Sequence, residues 1–235
     1  MNKQPVFRFQ GGIVRKIDMV HKKLFNLERT VAVPLFERSA FGWEVLPLIK
    51  EFIRETGPKL GKDYEQIVEN VWVGKGCLID PRAAVIGPAI IGHDCELRPG
   101  CYIRENVIAG NNCILGNSTE IKNSILFDGV QAAHFNYIGD SVVGYMAHLG
   151  AGAILSNLKY TKTEIVLHPE EGPVQTGLKK FGALLGDFVD VGCQTVLNPG
   201  TIVGRNTVVY PMVNLRGLIP QDKIVKGAVD WDQLR

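Results

Sequence analysis

The sequence has no long apolar run and no strong charge of either sign. No stretch approaches the ~18 apolar residues of a membrane-spanning helix, and the charged N-terminus, MNKQPVFRFQGG, has no signal-peptide core. The formal net charge of +2 comes without a polybasic run, so nothing indicates a nucleic-acid or membrane partner. These absences favour a cytoplasmic enzyme or binding protein, and 46% hydrophobic residues suffice for a sizeable core.

Closely spaced cysteine pairs are also missing. The chain has five cysteines and no C-x-x-C arrangement, the positions being Cys77, Cys95, Cys101, Cys113 and Cys193. An odd number without short spacings argues against a disulfide framework and against a zinc knuckle. Free thiols in a reducing compartment fit better, and no protein-bound metal is expected.

What the chain does have is a period of six. Apolar residues recur six apart from Val73 to Ile121, and again from Leu185 to Leu215. This period matches neither an α-helix nor an alternating strand, and it is typical of a hexapeptide β-helix, in which three hexads complete one triangular coil. The sequence therefore predicts a mainly β fold, a parallel β-helix of about seven coils over residues 71–218.

The position two residues before most of these aliphatic residues is small or a threonine. Its occupants are Cys77, Ala83, Ala89, Cys95, Cys101, Cys113, Thr119, Thr195, Thr201 and Thr207. Four of the five cysteines are thereby explained as fillers of the interior, the common role of buried free cysteine. Cys193 lies outside this register, and we expect it to be exposed.

Three other parts of the chain do not follow the hexads. Residues 1–70 form an N-terminal helical region, in which GWEVLPLIKEFIRETGP predicts one amphipathic helix packed on the end or side of the β-helix, or else a partner-binding helix. Its apolar face comprises Val45, Leu46, Ile49, Phe52 and Ile53. Residues 156–182 predict a projecting hairpin loop, a common place for function on a rigid scaffold. Residues 219–235 are a C-terminal tail.

The hexad register is lost around QAAHFNYIGDSVVG, residues 131–144. Ile121 and Ile138 are seventeen residues apart, one short of three hexads, and His134 lies between them. Broken local rules concentrate at functional sites. We expect the slip to lift residues 131–137 out of the regular path, so that the imidazole faces a cleft. The alternative is an ordinary corner or packed histidine.

The same segment carries a specific set of motifs. They are L-R-P-G, then G-N-x-x-E-x-K, then H-x-x-Y-x-G-D, then x-x-G-A-G. Together they resemble the acetyltransferase domain of the bifunctional bacterial enzyme that makes UDP-N-acetylglucosamine, over residues 71–218. The resemblance implies a left-handed β-helix and a homotrimer. It also implies acetyl transfer from acetyl-CoA to the amine of an amino-sugar 1-phosphate, glucosamine 1-phosphate foremost, in the synthesis of UDP-N-acetylglucosamine or a related sugar nucleotide.

The resemblance also assigns roles to residues. His134 is the catalytic base, because histidine as a residue type titrates near neutrality and can take a proton from the amine of the sugar. The residues implied to bind the sugar phosphate and acyl group are Arg98, Lys122, Tyr137, His148, Asn157 and Lys180. Groups near Ala151, Cys193 and Pro211 would bind the pantetheine arm of coenzyme A, and Arg216 its phosphates.

Two departures from the family pattern bear on function. Residues 1–70 are too short for the nucleotidyltransferase domain of full-length members and contain no L-x-x-G-x-G-x-R-like segment, so no pyrophosphorylase activity is expected. His148 stands where the family has asparagine, and the 156–182 hairpin is longer than in the best-known members. The acceptor sugar phosphate and the acyl group therefore stay open.

Two other functions compete with the acetyltransferase. One is a non-catalytic trimer that binds a sugar phosphate or regulates a separate nucleotidyltransferase. The other is a metal enzyme of the γ-class carbonic anhydrase type, which shares the fold, places three histidines across a trimer interface and would use His93, His134 and His148. The chain has no H-x4-H pair, so the spacing does not suit that class.

Overall fold

The computed structural model describes residues 14–227 and the backbone of residues 231–233. Its centre is a β-helix whose coils each contribute one strand to each of three sheets, and the three sheets contain nine, seven and nine strands. Neighbouring strands from successive coils are parallel and in register, as in the pairs Ile121↔Ile138 and Leu149↔Val191. The predicted mainly β fold, a parallel β-helix, is confirmed.

Strands are numbered β1–β27 along the chain. The first sheet comprises β1 (Tyr64–Val68), β2 (Val71–Gly74), β5 (Ala89–Ile91), β8 (Val107–Ala109), β11 (Ser124–Leu126), β14 (Val142–Val143), β19 (Ala183–Leu185), β22 (Thr201–Val203) and β25 (Leu218–Ile219). The second comprises β3 (Leu78–Ile79), β6 (Glu96–Leu97), β9 (Ile114–Asn117), β12 (Gln131–His134), β15 (His148–Leu149), β20 (Asp190–Val191), β23 (Val208–Val209), β26 (Lys223–Val225) and β27 (Trp231–Gln233). The third comprises β4 (Ala84–Val85), β7 (Tyr102–Ile103), β10 (Glu120–Lys122), β13 (Tyr137–Gly139), β16 (Ile154–Leu155), β21 (Val196–Leu197) and β24 (Asn214–Leu215).

Each coil turns at three corners. The chain passes from the first sheet to the second at the first corner, from the second to the third at the second corner, and from the third back to the first at the third corner. Most corners contain one residue with a positive φ, such as Asn112, Phe135 or Asn206. Backbone hydrogen bonds between successive corners hold the coils together, for example from the N–H of Gly152 to the carbonyl of His134 at 3.0 Å.

The hexad residues fill the interior as predicted. The aliphatic residues from Ile91 to Ile121 and from Leu185 to Leu215 are buried in one continuous core, and Ile79 and Val85 of the first coil pack against it. Cys95, Cys101 and Cys113 are also buried there, Cys77 is half-buried, and Cys193 is exposed. Burial of apolar area on this scale is the main stabilising contribution to such a solenoid.

The N-terminal region covers the outer face of the first sheet. It contains α1 (His21–Leu24), α2 (Val33–Glu37) and α3 (Ile49–Thr56), together with 3-10 turns at Lys16–Met19, Leu27–Arg29, Gly42–Leu48 and Gly57–Lys59. The first sheet presents aliphatic and aromatic residues outward, and they form a second core with the helices; these are Trp72, Ile90, Ile108, Ile125, Phe127, Val142, Leu184 and Ile202. The region therefore lies beside the β-helix.

The predicted helix over residues 42–58 differs in detail. Its first half is a 3-10 helix, Gly42–Leu48, and only Ile49–Thr56 is α-helical. Pro47 is the physical reason, because it has no N–H to donate and its ring opposes an α-helical turn before it. The predicted apolar face is correct: Val45, Leu46, Ile49 and Ile53 are buried.

The register slip lies elsewhere than expected. Ala132 keeps the regular inward position and pairs with Leu115 and Leu149 on either side, so residues 131–137 follow the normal path. The spacing that is one residue short of a hexad lies at the third corner, between the inward residues Ile121 and Leu126. The next coil has the same short spacing between Ile138 and Val143. Asn123 and Asp140, each with φ of 45°, turn these corners with one residue fewer.

Two segments outside the hexads differ from their expected form. Between 156 and 182 the structure has an antiparallel pair, β17 (Val166–Leu167) and β18 (Val174–Gln175), but Ile165 and Leu167 are buried in the second core instead of projecting. The tail from residue 219 in part continues the β-helix, since Ile219 and Val225 are buried inside it. The spacing of four from Leu215 to Ile219 hid that register in the sequence. Within the described residues, no helix has both the length and the apolar character to cross a membrane.

Candidate active site

His134 stands in a column of residues that occupy the same place in successive second corners. Below it in the column lie Ala151, Cys193 and Pro211. Backbone bonds connect them: the carbonyls of His134, Ala151 and Cys193 accept N–H groups from the next corner at 3.0, 2.8 and 2.9 Å. Because parallel strands are about 4.8 Å apart, the column forms a continuous edge three coils long. The structure thus aligns the predicted base with the predicted pantetheine positions.

The backbone of His134 is fixed from inside the prism. Asn136 is 2% exposed, where the other coils have alanine, cysteine, threonine or valine. Its Oδ1 accepts the His134 N–H at 3.2 Å, and its Nδ2 donates to the Gly150 carbonyl at 2.8 Å. The imidazole itself is exposed and makes no hydrogen bond to any residue that the structure describes. It is exposed because it projects outward from a corner.

Tyr137 and Asn157 meet above Gly139 on the third sheet. A methyl group on Gly139 would lie 2.7 Å from the Tyr137 hydroxyl and 2.8 Å from Nδ2 of Asn157, so only glycine leaves room for both. Gly139 pairs in register with Lys122 of the preceding coil. Lys122 makes no ion pair within the described part of the chain. Two of the predicted sugar-binding side chains therefore meet over one glycine, and Lys122 is its pairing partner in the preceding coil.

Neighbouring charges make the surroundings of Tyr137 acidic. Burial, and then the carboxylates of Glu120 and Asp140, raise the pKa of the Tyr137 hydroxyl. Glu120 is itself paired with Arg104 at 2.9 Å. The phenol is therefore neutral at physiological pH and can donate one hydrogen bond.

Arg98 lies near the second corner, two coils before His134. Its Nε and Nη2 donate to the two carboxylate oxygens of Glu96 at 3.0 and 3.2 Å, which fixes the guanidinium plane. A groove of about 280 Å³ runs beside it, lined in part by Leu78, Asp80 and Pro99. A fork held in this way still has N–H groups for an anion.

His148 is on the outer face of the second sheet. Its Nδ1 is 2.8 Å from Oδ1 of Asp190 in the next coil, and both side chains are about half exposed. A carboxylate at Nδ1 makes that nitrogen the donor, so Nε2 faces solvent as an acceptor in the neutral ring. Histidine at this position thus offers a different hydrogen-bonding edge from asparagine.

Two predicted residues lie apart from His134 within one chain. Lys180 is exposed and bridges Leu158, beyond the third corner. Arg216 directly follows β24 and so lies across the third sheet from Pro211 of the same coil. A single chain therefore leaves the candidate site open on one side.

Within residues 14–227, no group of three or more histidine, cysteine, aspartate or glutamate side chains is placed to hold a metal ion. His93 lies in a first corner and packs on Tyr64, with ring centroids 4.7 Å apart. It therefore lies at a different corner of the coil from His134.

Several residues of the site were missed from the sequence. They are Asn123, Asn136, Asp140 and Asp190. Asn136 could have been recognised as an amide at a position that in the same sheet elsewhere holds alanine, cysteine, threonine or valine. Asn123 and Asp140 follow the inward residues Ile121 and Ile138 by two, just where six-residue spacing fails. Asp190 left no signal, because its pairing depends on the 156–182 insertion closing back into register.

The comparisons with known proteins agree with this architecture. The sequence profile described as "GMPPB C-terminal domain" matches residues 85–224. A protein from Methanococcus maripaludis strain C5, "Bifunctional protein GlmU", is 32% identical over 186 residues, covering 78% of this chain and 45% of that protein. A "Bifunctional sugar-1-phosphate nucleotidylyltransferase/acetyltransferase" from Sulfurisphaera tokodaii is 29% identical over 65% of this chain and 44% of its own length.

The chain thus spans about half the length of the curated relatives it matches. Among solved structures, a mutant of the Bacillus cereus N-acyltransferase AntD covers 74% of this chain and 91% of its own, at 15% identity and a TM-score of 0.46. The relatives named GlmU confirm the resemblance that the motifs indicated. Because the profile matches more than half of the residues, the chain belongs to the GMPPB C-terminal domain family.

Proposed function

We propose that the protein is a CoA-dependent N-acetyltransferase that acetylates the amine of an amino-sugar 1-phosphate. Glucosamine 1-phosphate is the first candidate acceptor, and the product would serve the synthesis of UDP-N-acetylglucosamine or a related sugar nucleotide. Two relatives have names that include GlmU or a sugar-1-phosphate acetyltransferase. That naming supports the reaction class and leaves the particular sugar to experiment.

The observation that carries the proposal is the second-corner column. An exposed histidine stands at one end of an edge formed by Ala151, Cys193 and Pro211. An extended thioester lying along this edge would bring its carbonyl carbon to the imidazole while its pantetheine amides met the exposed corner backbone. Cys193 lines the edge; direct transfer between two bound substrates needs no acyl-enzyme on its thiol.

The chemistry requires one proton transfer. The amine of the sugar must lose a proton before or as its nitrogen attacks the thioester carbon, and the carbon–sulfur bond then breaks to release the thiolate of coenzyme A. His134 accepts that proton as a general base, a contribution typically worth about 10²–10⁴ in rate. The fixed backbone of residues 134–136 holds the imidazole at the corner, so less orientational freedom is lost when the ring meets the amine.

Cationic groups around the column suit a sugar phosphate. The Arg98 fork offers positive charge near the second corner, and Lys122 offers it beside Gly139 on the third sheet. Tyr137, Asn157 and His148 supply neutral hydrogen-bonding groups for hydroxyls, the amine and the acyl group. The phosphate of the acceptor would carry up to two negative charges, which fixed cations bind with charge-assisted hydrogen bonds.

The active form is proposed to be a homotrimer with the site between chains. In one chain Lys180 and Arg216 lie away from the column, so they would act on a neighbour's column. The corner also exposes apolar side chains that a neighbour would cover, with Phe135 61% and Met212 81% exposed. Contacts of this kind between second corners would close the site and exclude water from the thioester.

The proposal is tested by release of free thiol from acetyl-CoA with a panel of amino-sugar 1-phosphates. We expect turnover with at least one acceptor, and His134→Ala should reduce it by about two to four orders of magnitude with the trimer intact. His168→Ala, at an exposed histidine of the 156–182 loop, is the matched control. His134→Asn should do no better than alanine, and the loss should shrink as pH rises and more amine is already neutral.

Retention of more than about a third of turnover in His134→Ala would show that the amine arrives deprotonated and that the histidine only orients it. Binding of sugar phosphate without any thiol release would favour the non-catalytic alternative, a trimeric binding module for a separate nucleotidyltransferase.

A further inference from the structure

One carboxylate connects three successive coils at the third corner. Asp140 is 6% exposed, and its Oδ1 accepts a hydrogen bond from Nδ2 of Asn123 at 2.8 Å. Its Oδ2 accepts a hydrogen bond from Nδ2 of Asn157 in the following coil. The three residues are spaced by 17 in each step. The two slipped corners therefore produce a continuous side-chain ladder, Asn123–Asp140–Asn157.

The ladder sets the orientation of the Asn157 carboxamide. An ionised carboxylate only accepts hydrogen bonds, so the NH₂ end of Asn157 must face Asp140. Nδ2 of Asn157 and the Tyr137 hydroxyl both lie over Gly139, and Asn157 lowers the pKa of Tyr137 against the larger effects of burial and nearby carboxylates. The NH₂ group of Asn157 is then turned inward, toward Asp140. Its Oδ1 is left as a hydrogen-bond acceptor, and the Tyr137 O–H is left as a donor.

We propose that Asp140 is a positioning residue that holds Asn157 with Oδ1 outward to accept an N–H of the sugar's amine. The inference rests on the proposed function. It adds which hydrogen-bonding atom of Asn157 faces the amine of the bound sugar. A neutral amine attacks with its lone pair, so its N–H groups must point at acceptors elsewhere. If Oδ1 of Asn157 accepts one N–H of the amine, the nitrogen lone pair points away from Asn157 and toward the thioester.

Burial makes this arrangement costly to change. Asp140 cannot turn to water, because it is 6% exposed. If the amide of Asn157 turned over, its Oδ1 would face the carboxylate, and two acceptors in contact repel. The orientation is therefore maintained before the substrate binds, as preorganised sites require.

The test is Asp140→Asn. This change keeps the shape of the side chain, but the new amide can turn either its oxygen or its NH₂ group toward Asn157. We expect kcat/KM for the acceptor to fall about tenfold to a hundredfold, with KM for acetyl-CoA unchanged. Asp128→Asn is the matched control, a half-buried first-corner aspartate that accepts the Asn111 N–H at 2.7 Å, and it should leave both constants unchanged.

A double-mutant cycle separates positioning from folding. If Asp140 acts through Asn157, Asp140→Asn should add little to the loss already caused by Asn157→Ala. Losses that add in full, or an Asp140→Asn enzyme as active as wild type, would overturn the inference while leaving the proposed function standing. A wild-type protein that acetylates no amino-sugar phosphate would instead reject the proposed function itself. Thermal unfolding of each variant checks that the fold is retained.

Discussion

Asp187 and Asn26 are 161 residues apart in the sequence, yet Oδ2 of Asp187 accepts the Asn26 N–H at 2.7 Å. The same oxygen also accepts from Nη2 of Arg205 at 2.7 Å, and Oδ1 accepts the Tyr145 N–H at 2.9 Å. Asp187 is 0% exposed. One buried carboxylate thus fastens the N-terminal region to a first corner of the β-helix.

Asp187→Ala should lower the free energy of unfolding by on the order of 3 kcal/mol, because it leaves Arg205 and two N–H groups without their acceptor. Chemical denaturation measures the change. Asp63→Ala is the control, since Asp63 only forms an exposed pair with Lys75 and such pairs contribute little. A change at Asp187 no larger than at Asp63 would mean that the N-terminal region is held by apolar contacts alone.

His21 should make the protein less stable in mild acid. Burial lowers its pKa, while a hydrogen bond between Nδ1 and the Ala40 carbonyl at 3.0 Å works against this. Nε2 is buried without a partner among the residues that the structure describes. The folded state therefore binds fewer protons here than the unfolded state, whose histidine titrates near 6.5. Stability should fall as pH drops below about 6.5.

The acid effect is checked by the midpoint of thermal unfolding between pH 8 and pH 5. His21→Phe keeps an aromatic ring against Phe36, at a present centroid distance of 5.6 Å, and removes the titration. Its midpoint should depend less on pH than that of wild type over this range. His168→Gln, at an exposed histidine, should keep the wild-type slope. Equal slopes in all three proteins would contradict the prediction.

Cys193 should be the main reactive thiol of the native protein. Burial raises the pKa of Cys101 to about 12, and the contact with Cys113 together with burial raises that of Cys95 to about 12. Contact with Cys95 and burial also raise the pKa of Cys77. Thiolates react with alkylating agents and thiols do not, so iodoacetamide should label Cys193 first.

Acetyl-CoA provides the functional part of this experiment. If the thioester lies along the second-corner column, it should slow alkylation of Cys193 severalfold, as followed by mass spectrometry of the native protein. Cys193→Ser should remove the fast-labelled site, and unfolding should expose all five cysteines. Labelling of Cys193 at the same rate with saturating acetyl-CoA would place coenzyme A elsewhere.

Arg98→Ala and Lys122→Ala should weaken sugar-phosphate binding tenfold to a hundredfold each, the usual contribution of about 1.5–3 kcal/mol for a charged hydrogen bond. Acetyl-CoA binding should hardly change. Titration calorimetry with each substrate separates the two effects.

Arg82 offers a matched control for Arg98. It forms the same two-pronged pair with a carboxylate one coil earlier, donating to Asp80 at 2.9 and 3.0 Å. Arg82→Ala should leave both affinities unchanged. If Arg98→Ala weakened both substrates equally, the phosphate would not be bound at this corner.

The sequence by itself determined the interior. A period of six with aliphatic residues such as Ile91, Leu97 and Ile103 predicts a β-helix, because three hexads close one coil and the coil buries all three side chains. The motifs around His134 were equally local, since every member lies in consecutive coils. This is why a family resemblance could point to a candidate base, to Tyr137 and to the column residues before the structure was known.

Only the tertiary structure decided where the missing residue lies and what it does. A one-residue slip between Ile121 and Ile138 can occur at any of three corners, and the apolar pattern does not distinguish them. Backbone pairing between coils places it at Asn123 and Asp140, where the shorter corner brings Asp140 within reach of Asn157. The covering of the first sheet and the Asp187–Asn26 bond were also hidden, because both join segments far apart in sequence. Contacts of that kind depend on how coils stack in space, and no local spacing records them.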